Sequence, residues 1–365
     1  MIVVAKIGTS SITGAAGEID QAAVAGLCAE VAGLRRSGHR AVVVTSGAIA
    51  AGLPPLGLGG RRPTDLATLQ AVAAVGQHHL MRVYEAALST HSLLGGQILL
   101  APLDFVHRQQ YLHARQTLTR LLDLGVVPIV NENDAVADDE IRFGDNDRLA
   151  ALVAHLVSAE LLVLLTDTPG LYTADPRLDS GASLIEEIVE LDHELGVAAG
   201  GPGSARGSGG MVSKLAAAKM AAWSGVRTVI AAAGRAGVLG DAVAGVQGVG
   251  TVIQPHERRL PARKLWIAFA VGSSGTIVVD EGARRALASG GRSLLPAGVV
   301  DVGGDFEVDD AVEIAGPDGR VFAKGLARHR SALVRQWRGS QTAALPPDVP
   351  HEVVHRDDLV VLPVH

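Results

Sequence analysis

The densest capacity for chemistry lies between Val130 and Leu152. Two acidic, amide-rich clusters occur there, Asn131-Glu132-Asn133-Asp134 and Asp145-Asn146-Asp147. One Asp or Asn suffices to cap a helix or to turn a chain. Seven Asn, Asp and Glu residues in two clusters exceed that need, which points to a ligand site rather than to capping alone.

Three other stretches suit phosphate. Lys6-Ile7-Gly8-Thr9-Ser10-Ser11 follows an apolar strand, and its glycine, hydroxyls and amides can hold phosphate oxygens. An ordinary strand-end loop with a surface lysine would read the same. Residues 45–52, TSGAIAAG, are small and enter a helix, where backbone donors favour anions; tight helix–strand packing also selects Gly and Ala. Residues 200–214, GGPGSARGSGGMVSK, are the most glycine-rich segment and put Lys214 in the first turn of a helix. The pattern is not G-x-x-x-x-G-K-[ST], so P-loop topology is not implied. Only Lys6, Lys214, Lys219, Lys264 and Lys324 are lysines among 32 cationic residues. A lysine kept beside such a loop suits a phosphate where a broad guanidinium does not fit.

Strand and helix alternate up to about Pro255. Apolar runs at 2–5, 41–44, 96–101, 126–130, 161–165 and 228–232 predict strands. Helical spacing covers 20–37, 65–90 and 104–123 and resumes near Arg148. Such alternation predicts a mostly parallel sheet covered on both faces, with ligands at the carboxyl ends of its strands. The first cluster, the Lys6 loop and the loop 166–177 all fall at strand ends. Tyr172 in that last loop could lie against a flat heterocycle, although an amphipathic Tyr in a turn is common. From about Pro255 the pattern changes. A polar stretch reads as a linker, and short β-like runs at 276–279, 299–302, 311–314 and 320–323, interrupted by a helix at 281–290, predict a small β-rich domain.

Composition bounds the function. The chain has 365 residues, is 48% hydrophobic and only 3% aromatic, so its core rests on Ala, Val, Leu and Ile. A net charge of −6 argues against general nucleic-acid binding as the main task. The six Lys and Arg residues between Arg320 and Arg338, with no acid among them, read as a solvated face or as a local nucleic-acid contact. Cys28, the one cysteine, is expected to be a small buried hydrophobe. His78 and His79 are adjacent, which makes a poor metal clamp on a helix. Arg108, Arg115 and Arg120 read as a solvated helix face. There is no basic leader and no stretch of about 18 apolar residues. The expectation is a soluble cytoplasmic protein with no membrane contact.

The stretches VAKIGTSSIT (4–13), VVTSGAIAAG (43–52), VPIVNENDAVA (127–137), FGDNDRLAAL (143–152), LLTDTPGLYTADPR (164–177) and GSGGMVSK (207–214) resemble the glutamate 5-kinases of the amino acid kinase superfamily. TIVVDEGA, SLLPAGV and VHRDDLVVL in the tail resemble the PUA domain that bacterial members carry. NENDAVA followed by GDND separates the chain from acetylglutamate kinase, aspartokinase and uridylate kinase. The resemblance implies an α/β fold, a three-layer αβα sandwich with a mostly parallel sheet, plus a small C-terminal β-rich PUA domain. It implies an amino acid kinase domain over 1–255, a linker over 256–274 and a PUA-like domain over 275–365.

Roles carry over residue by residue. Lys6 matches a lysine on the transferring phosphate, Lys214 a second phosphate-facing lysine, and Asp147 an acid that positions the lysines. Ser46, Asp134 and Asn146 match groups that hold glutamate. Lys6, Thr166, Asp167, Ser208, Gly209, Gly210, Met211, Val212, Ser213 and Lys214 match the nucleotide-binding segments. Ser208 and Ser213 stand where the pattern often has Thr, which keeps the hydroxyl. The implied reaction is ATP plus L-glutamate giving ADP plus L-glutamyl 5-phosphate, with Mg²⁺ required by way of ATP and its ligands unassigned. Feedback inhibition by proline and assembly as a homodimer or homotetramer are implied as well. The dehydrogenase of fused synthetases is not expected. Two other readings compete: another kinase of the superfamily, acting on a carbamate, an N-acylated amino acid or a nucleoside monophosphate, and an RNA-binding or regulatory protein that works through the PUA-like tail.

Overall fold

A computed structural model describes residues 1–14, 18–58, 63–105, 107–136, 146–174, 179, 181–189, 210–256, 259–346 and 349–362. The chain divides into two compact units, Met1–Leu260 and Pro261–His365.

In the first unit one sheet of eight strands has the order β3-β4-β2-β1-β5-β7-β8-β6. Its strands are β1 (Ile2–Ile7), β2 (Arg40–Val44), β3 (Gly95–Leu100), β4 (Val127–Glu132), β5 (Leu161–Thr166), β6 (Glu187–Ile188), β7 (Arg227–Ala232) and β8 (Thr251–Ile253). Every neighbouring pair is parallel except β7 with β8, so the expectation of a mostly parallel sheet holds with one exception. β1 and β5 are buried at every residue. That is what continuous apolar runs provide when both faces of a parallel sheet are covered.

Side chains alternate between the two faces. Val3, Ala5 and Ile7 of β1 join a core with Val24, Leu27 and Val31 of α2 (Gln21–Arg36). Leu80, Tyr84 and Leu88 of α4 (Leu66–Ser89) complete that layer. The opposite face carries α5 (Arg108–Asp123), α6 (Asn146–Leu156) and α7 (Met211–Trp223), with α6 packed on β1 and on α7. Two short helices, α1 (Thr9–Ile12) and α3 (Ala48–Gly52), begin at the ends of β1 and β2. Lys6 occupies an even position of β1 and so faces the α6 and α7 layer.

The boundaries have local causes. Asp20 caps α2 by accepting from the Ala22 and Ala23 amides at 2.9 and 3.0 Å, and Gly38 ends the segment at φ +80°. α6 starts at Asn146, two residues before the expected Arg148. It is buried nearly all round, as expected of a helix apolar on every face. Arg108, Arg115 and Arg120 are exposed, as a solvated face requires.

The second unit has a five-stranded sheet in the order β10-β9-β11-β12-β13. These are β9 (Gly275–Val279), β10 (Val299–Gly304), β11 (Ala311–Ala315), β12 (Val321–Ala327) and β13 (Val354–Val361). Ile277, Val312, Phe322 and Leu359 form its core with Val334 of a short helix, Ser331–Trp337. In the basic run Arg335 pairs with Asp305 at 3.1 Å and Arg338 with Asp301 at 3.6 Å, both at the surface. No described helix is long and apolar enough to cross a membrane.

The small residues at 45–52 have a packing cause. α3 lies so close to α4 that a Cβ on Gly76 would sit 1.8 Å from the Ala48 carbonyl oxygen, and one on Gly52 would sit 2.0 Å from the Val72 oxygen. Gly76→Ala must push the helices apart. Its expected cost is about 2–3 kcal/mol, read as a lower urea midpoint with the slope unchanged.

Candidate functional site

The carboxyl ends of β1, β2, β4 and β5 lie on one edge of the sheet, because these strands run parallel. Lys6 is the next-to-last residue of β1. Its neighbours in register are Val44, the last residue of β2, and Leu164 in the second half of β5. Asp147 is in the first turn of α6, where a carboxylate is favoured by the positive end of the helix. Gly210 caps α7 and puts Lys214 in its first turn.

These elements bring Lys6, Asp147 and Lys214 together. The Lys6 Nζ lies 2.5 Å from Asp147 Oδ1, and the Lys214 Nζ donates to Asp147 Oδ2 at 3.1 Å. Asp147 is fully buried and Lys6 is 3% exposed. Ser213 turns its hydroxyl toward the Gly210 carbonyl at 2.7 Å and lies 3.4 Å from Asp147 Oδ2. One carboxylate between two ammonium groups leaves these three side chains with one positive charge. Gly8 sits above the Lys6 ammonium, where a Cβ would come within 3.6 Å. Such a place can draw in an anion and hold it against fixed donors.

Asn146 forms a second centre beside the first. Its Nδ2 shares two hydrogens among three acceptors, the Thr45 carbonyl at 2.6 Å, Asn131 Oδ1 at 2.8 Å and the Ser46 hydroxyl at 3.0 Å. Ser46 and Asn146, named separately from sequence, therefore meet. Gly47 follows Ser46 at φ +92°, a left-handed conformation that favours glycine and aims the Ser46 turn into α3. Asn131 is an internal residue of β4 and 1% exposed. Its Nδ2 donates to Gln77 Oε1 at 2.8 Å. Tyr84 and Thr45 share a hydrogen bond at 2.8 Å, and the Thr45 hydroxyl also reaches the Ser46 carbonyl at 3.2 Å. Burial pushes the Tyr84 phenol well above its ordinary pKa, against the pull of the Thr45 hydrogen bond, so it stays neutral.

The other expected residues are placed as follows. Asp134 opens a 3₁₀ turn after β4. Thr166 ends β5, and its hydroxyl donates to Asp167 Oδ1 at 3.0 Å. Met211 and Val212 are in the first turn of α7, with Val212 exposed. Asp145, Ser208 and Gly209 lie outside the described residues. Tyr172 makes a backbone bridge to Leu184. His78 and His79 meet edge to face at 5.8 Å. Among the described residues no group of three His, Cys, Asp or Glu could hold a metal. Sequence reasoning assigned no role to Gln77, Tyr84, Thr45 or Asn131. Asn131 was flagged only by its place in the polar cluster.

Comparison with known proteins agrees with this architecture. The amino acid kinase family model matches residues 1–232 and the PUA domain model matches 275–345. A protein named glutamate 5-kinase from Bifidobacterium longum (strain DJO10A) is 48% identical over 99% of this chain and 95% of its own length. Another of that name from Burkholderia cenocepacia (strain HI2424) is 46% identical over 98% of this chain and 97% of its own. Among solved structures, an isopentenyl phosphate kinase aligns with TM-score 0.50 and 21% identity, over 70% of this chain and all of its own, a likeness of fold.

Asp147→Asn leaves two buried ammonium groups short of their shared carboxylate. Stability of the ligand-free protein should fall by about 3–5 kcal/mol, measured by urea denaturation.

Proposed function

Because the chain belongs to the amino acid kinase family, and within it to the glutamate 5-kinases, we propose that it transfers the γ-phosphoryl group of ATP to the γ-carboxylate of L-glutamate. The products are ADP and L-glutamyl 5-phosphate, the first step of proline biosynthesis. The observation that carries this reading is the Asp147 carboxylate between Lys6 and Lys214 at the carboxyl ends of the strands.

The nucleophile is already a carboxylate, so no general base is required. One of its oxygens bonds to the γ-phosphorus. The bond from that phosphorus to the bridging oxygen breaks, and its electron pair leaves on ADP. Catalysis reduces to alignment and to offsetting charge as two anions approach. Lys6 and Lys214 supply that positive charge, and Asp147 keeps both ammonium groups in place before the nucleotide arrives. Thr166, Asp167 and the segment from Ser208 to Lys214 hold the nucleotide. Ser46, Asp134 and Asn146 hold the α-ammonium and α-carboxylate, so that only the γ-carboxylate faces ATP.

Both Asp147 oxygens are engaged by lysines, so Mg²⁺ would enter with the nucleotide rather than sit on Asp147. When bound it adds neutralising charge on the phosphates. Proline as a feedback inhibitor, and a dimer or tetramer as the working assembly, are carried over from the family.

Hydroxylamine trapping tests the reading. With Mg-ATP, hydroxamate should form with L-glutamate and not with aspartate, N-acetylglutamate or buffer. Product from another acceptor alone would contradict the substrate assignment. Asp134→Ala should weaken glutamate binding about 10- to 100-fold, the loss of a charge-assisted contact. Lys214→Ala should lower kcat about 10²- to 10³-fold, by analogy with a lost oxyanion donor. A near-normal kcat would remove Lys214 from the chemistry.

A further inference from the structure

Gln77 lies on the fourth turn of α4 and is 7% exposed. The helix is pressed onto α3 at the neighbouring Gly76, which fixes where Gln77 can reach. Its Oε1 accepts from Asn131 Nδ2 at 2.8 Å. Asn131 Oδ1 in turn accepts from Asn146 Nδ2 at 2.8 Å and from the Glu132 amide at 3.0 Å. Three carboxamides thus form a chain with one direction: Asn146 donates to Asn131, and Asn131 donates to Gln77.

A carboxamide can be turned end for end at little steric cost, and only its partners decide which end is which. Gln77 offers the acceptor that commits Asn131 Nδ2. With Nδ2 held by Gln77 and Oδ1 held by the Glu132 amide, Asn131 presents Oδ1 to Asn146. Asn146 Nδ2 is thereby turned inward by Asn131 as well as by the Thr45 carbonyl and Ser46. Its Oδ1 accepts no hydrogen bond among the described residues and remains for a ligand.

We propose that Gln77 is a positioning residue for glutamate: by holding Asn131 Nδ2 it steadies the Asn131 and Asn146 amides in the sense that the Glu132 amide and the Thr45 carbonyl require, so that Asn146 offers an acceptor to the substrate ammonium. The inference rests on the glutamate reading above. The ammonium then falls to Asn146 Oδ1 and Asp134, and the α-carboxylate to the Ser46 hydroxyl. Gln77 touches no substrate itself.

The same geometry separates positioning from mere support. Gln77 Nε2 is buried with no hydrogen-bond partner. Gln77→Met therefore removes one orphaned donor while creating another at Asn131 Nδ2, and stability should change little. Loss of the bond between Gln77 and Asn131 should instead raise KM for glutamate about 5- to 10-fold, the size of one net hydrogen bond. KM for ATP should stay within about twofold. Gln77→Glu keeps the acceptor and should hold KM for glutamate well below that of Gln77→Met. Gln77→Leu carries the same test if the methionine disturbs packing.

The experiment is hydroxamate formation against glutamate and against ATP for the full chain and these variants, with melting curves. A selective rise in KM for glutamate, with an unchanged melt and recovery in Gln77→Glu, supports the assignment. An unchanged KM in Gln77→Met, or an equal loss in Gln77→Glu, overturns it while leaving the glutamate reading intact. Hydroxamate from no variant, the natural chain included, overturns both.

Discussion

Two ammonium groups and one carboxylate are costly to take out of water. The penalty is several kcal/mol for each ion, and attraction offsets it only when geometry is tight and the remaining donors are satisfied. Asp147 meets the geometric part of that condition with 2.5 and 3.1 Å contacts to Lys6 and Lys214. Much of the first unit can be understood as what holds those three groups in register. β1 brings Lys6 to the sheet edge, α6 is buried almost all round so that Asp147 cannot drift, and α7 begins at the turn that delivers Lys214.

A buried polar layer lies alongside. Tyr84, Thr45, Ser46, Gln77, Asn131 and Asn146 join α4, β2, β4 and α6 by side-chain and carbonyl hydrogen bonds. In a low dielectric such bonds strengthen, and an unmet partner becomes expensive. The layer can hold one arrangement well and others poorly. Adjacent α3 and α4 meet through Gly52 and Gly76, so the network sits on helices with little room to slide. Proposed chemistry and observed packing are coupled here: the amides proposed to select the ligand are the ones that tie helices to strands.

Much of this was legible in the chain. Alternating apolar runs announced the sheet and its covering layers, and the two acidic clusters supplied Asn131, Asn146 and Asp147 at its carboxyl edge. The scarcity of lysine singled out Lys6 and Lys214 before any geometry was known. What stayed hidden depends on distance along the chain. Gln77 meets Asn131 from 54 residues away, and within its own helix it is one polar residue beside Gly76 and His78. The apolar run before Asn131 stops at Val130, but pairing with β3 carries β4 to Glu132 and so places Asn131 within the strand. Local pattern also left the small residues at 45–52 ambiguous between ligand and packing, and only the helix crossing at Gly52 supplied the packing cause. The antiparallel turn of β8 had no local signal at all.

The central claim is that Asp147 matters to phosphoryl transfer because it places the lysines. A double-mutant cycle on kcat tests this most directly, using Asp147→Asn, Lys214→Met and both together. If Asp147 acts through Lys214, the double variant should lose little more than the worse single one, because residues that work as a unit are not additive. Losses that multiply in full would contradict the claim and give Asp147 a part in the reaction independent of Lys214.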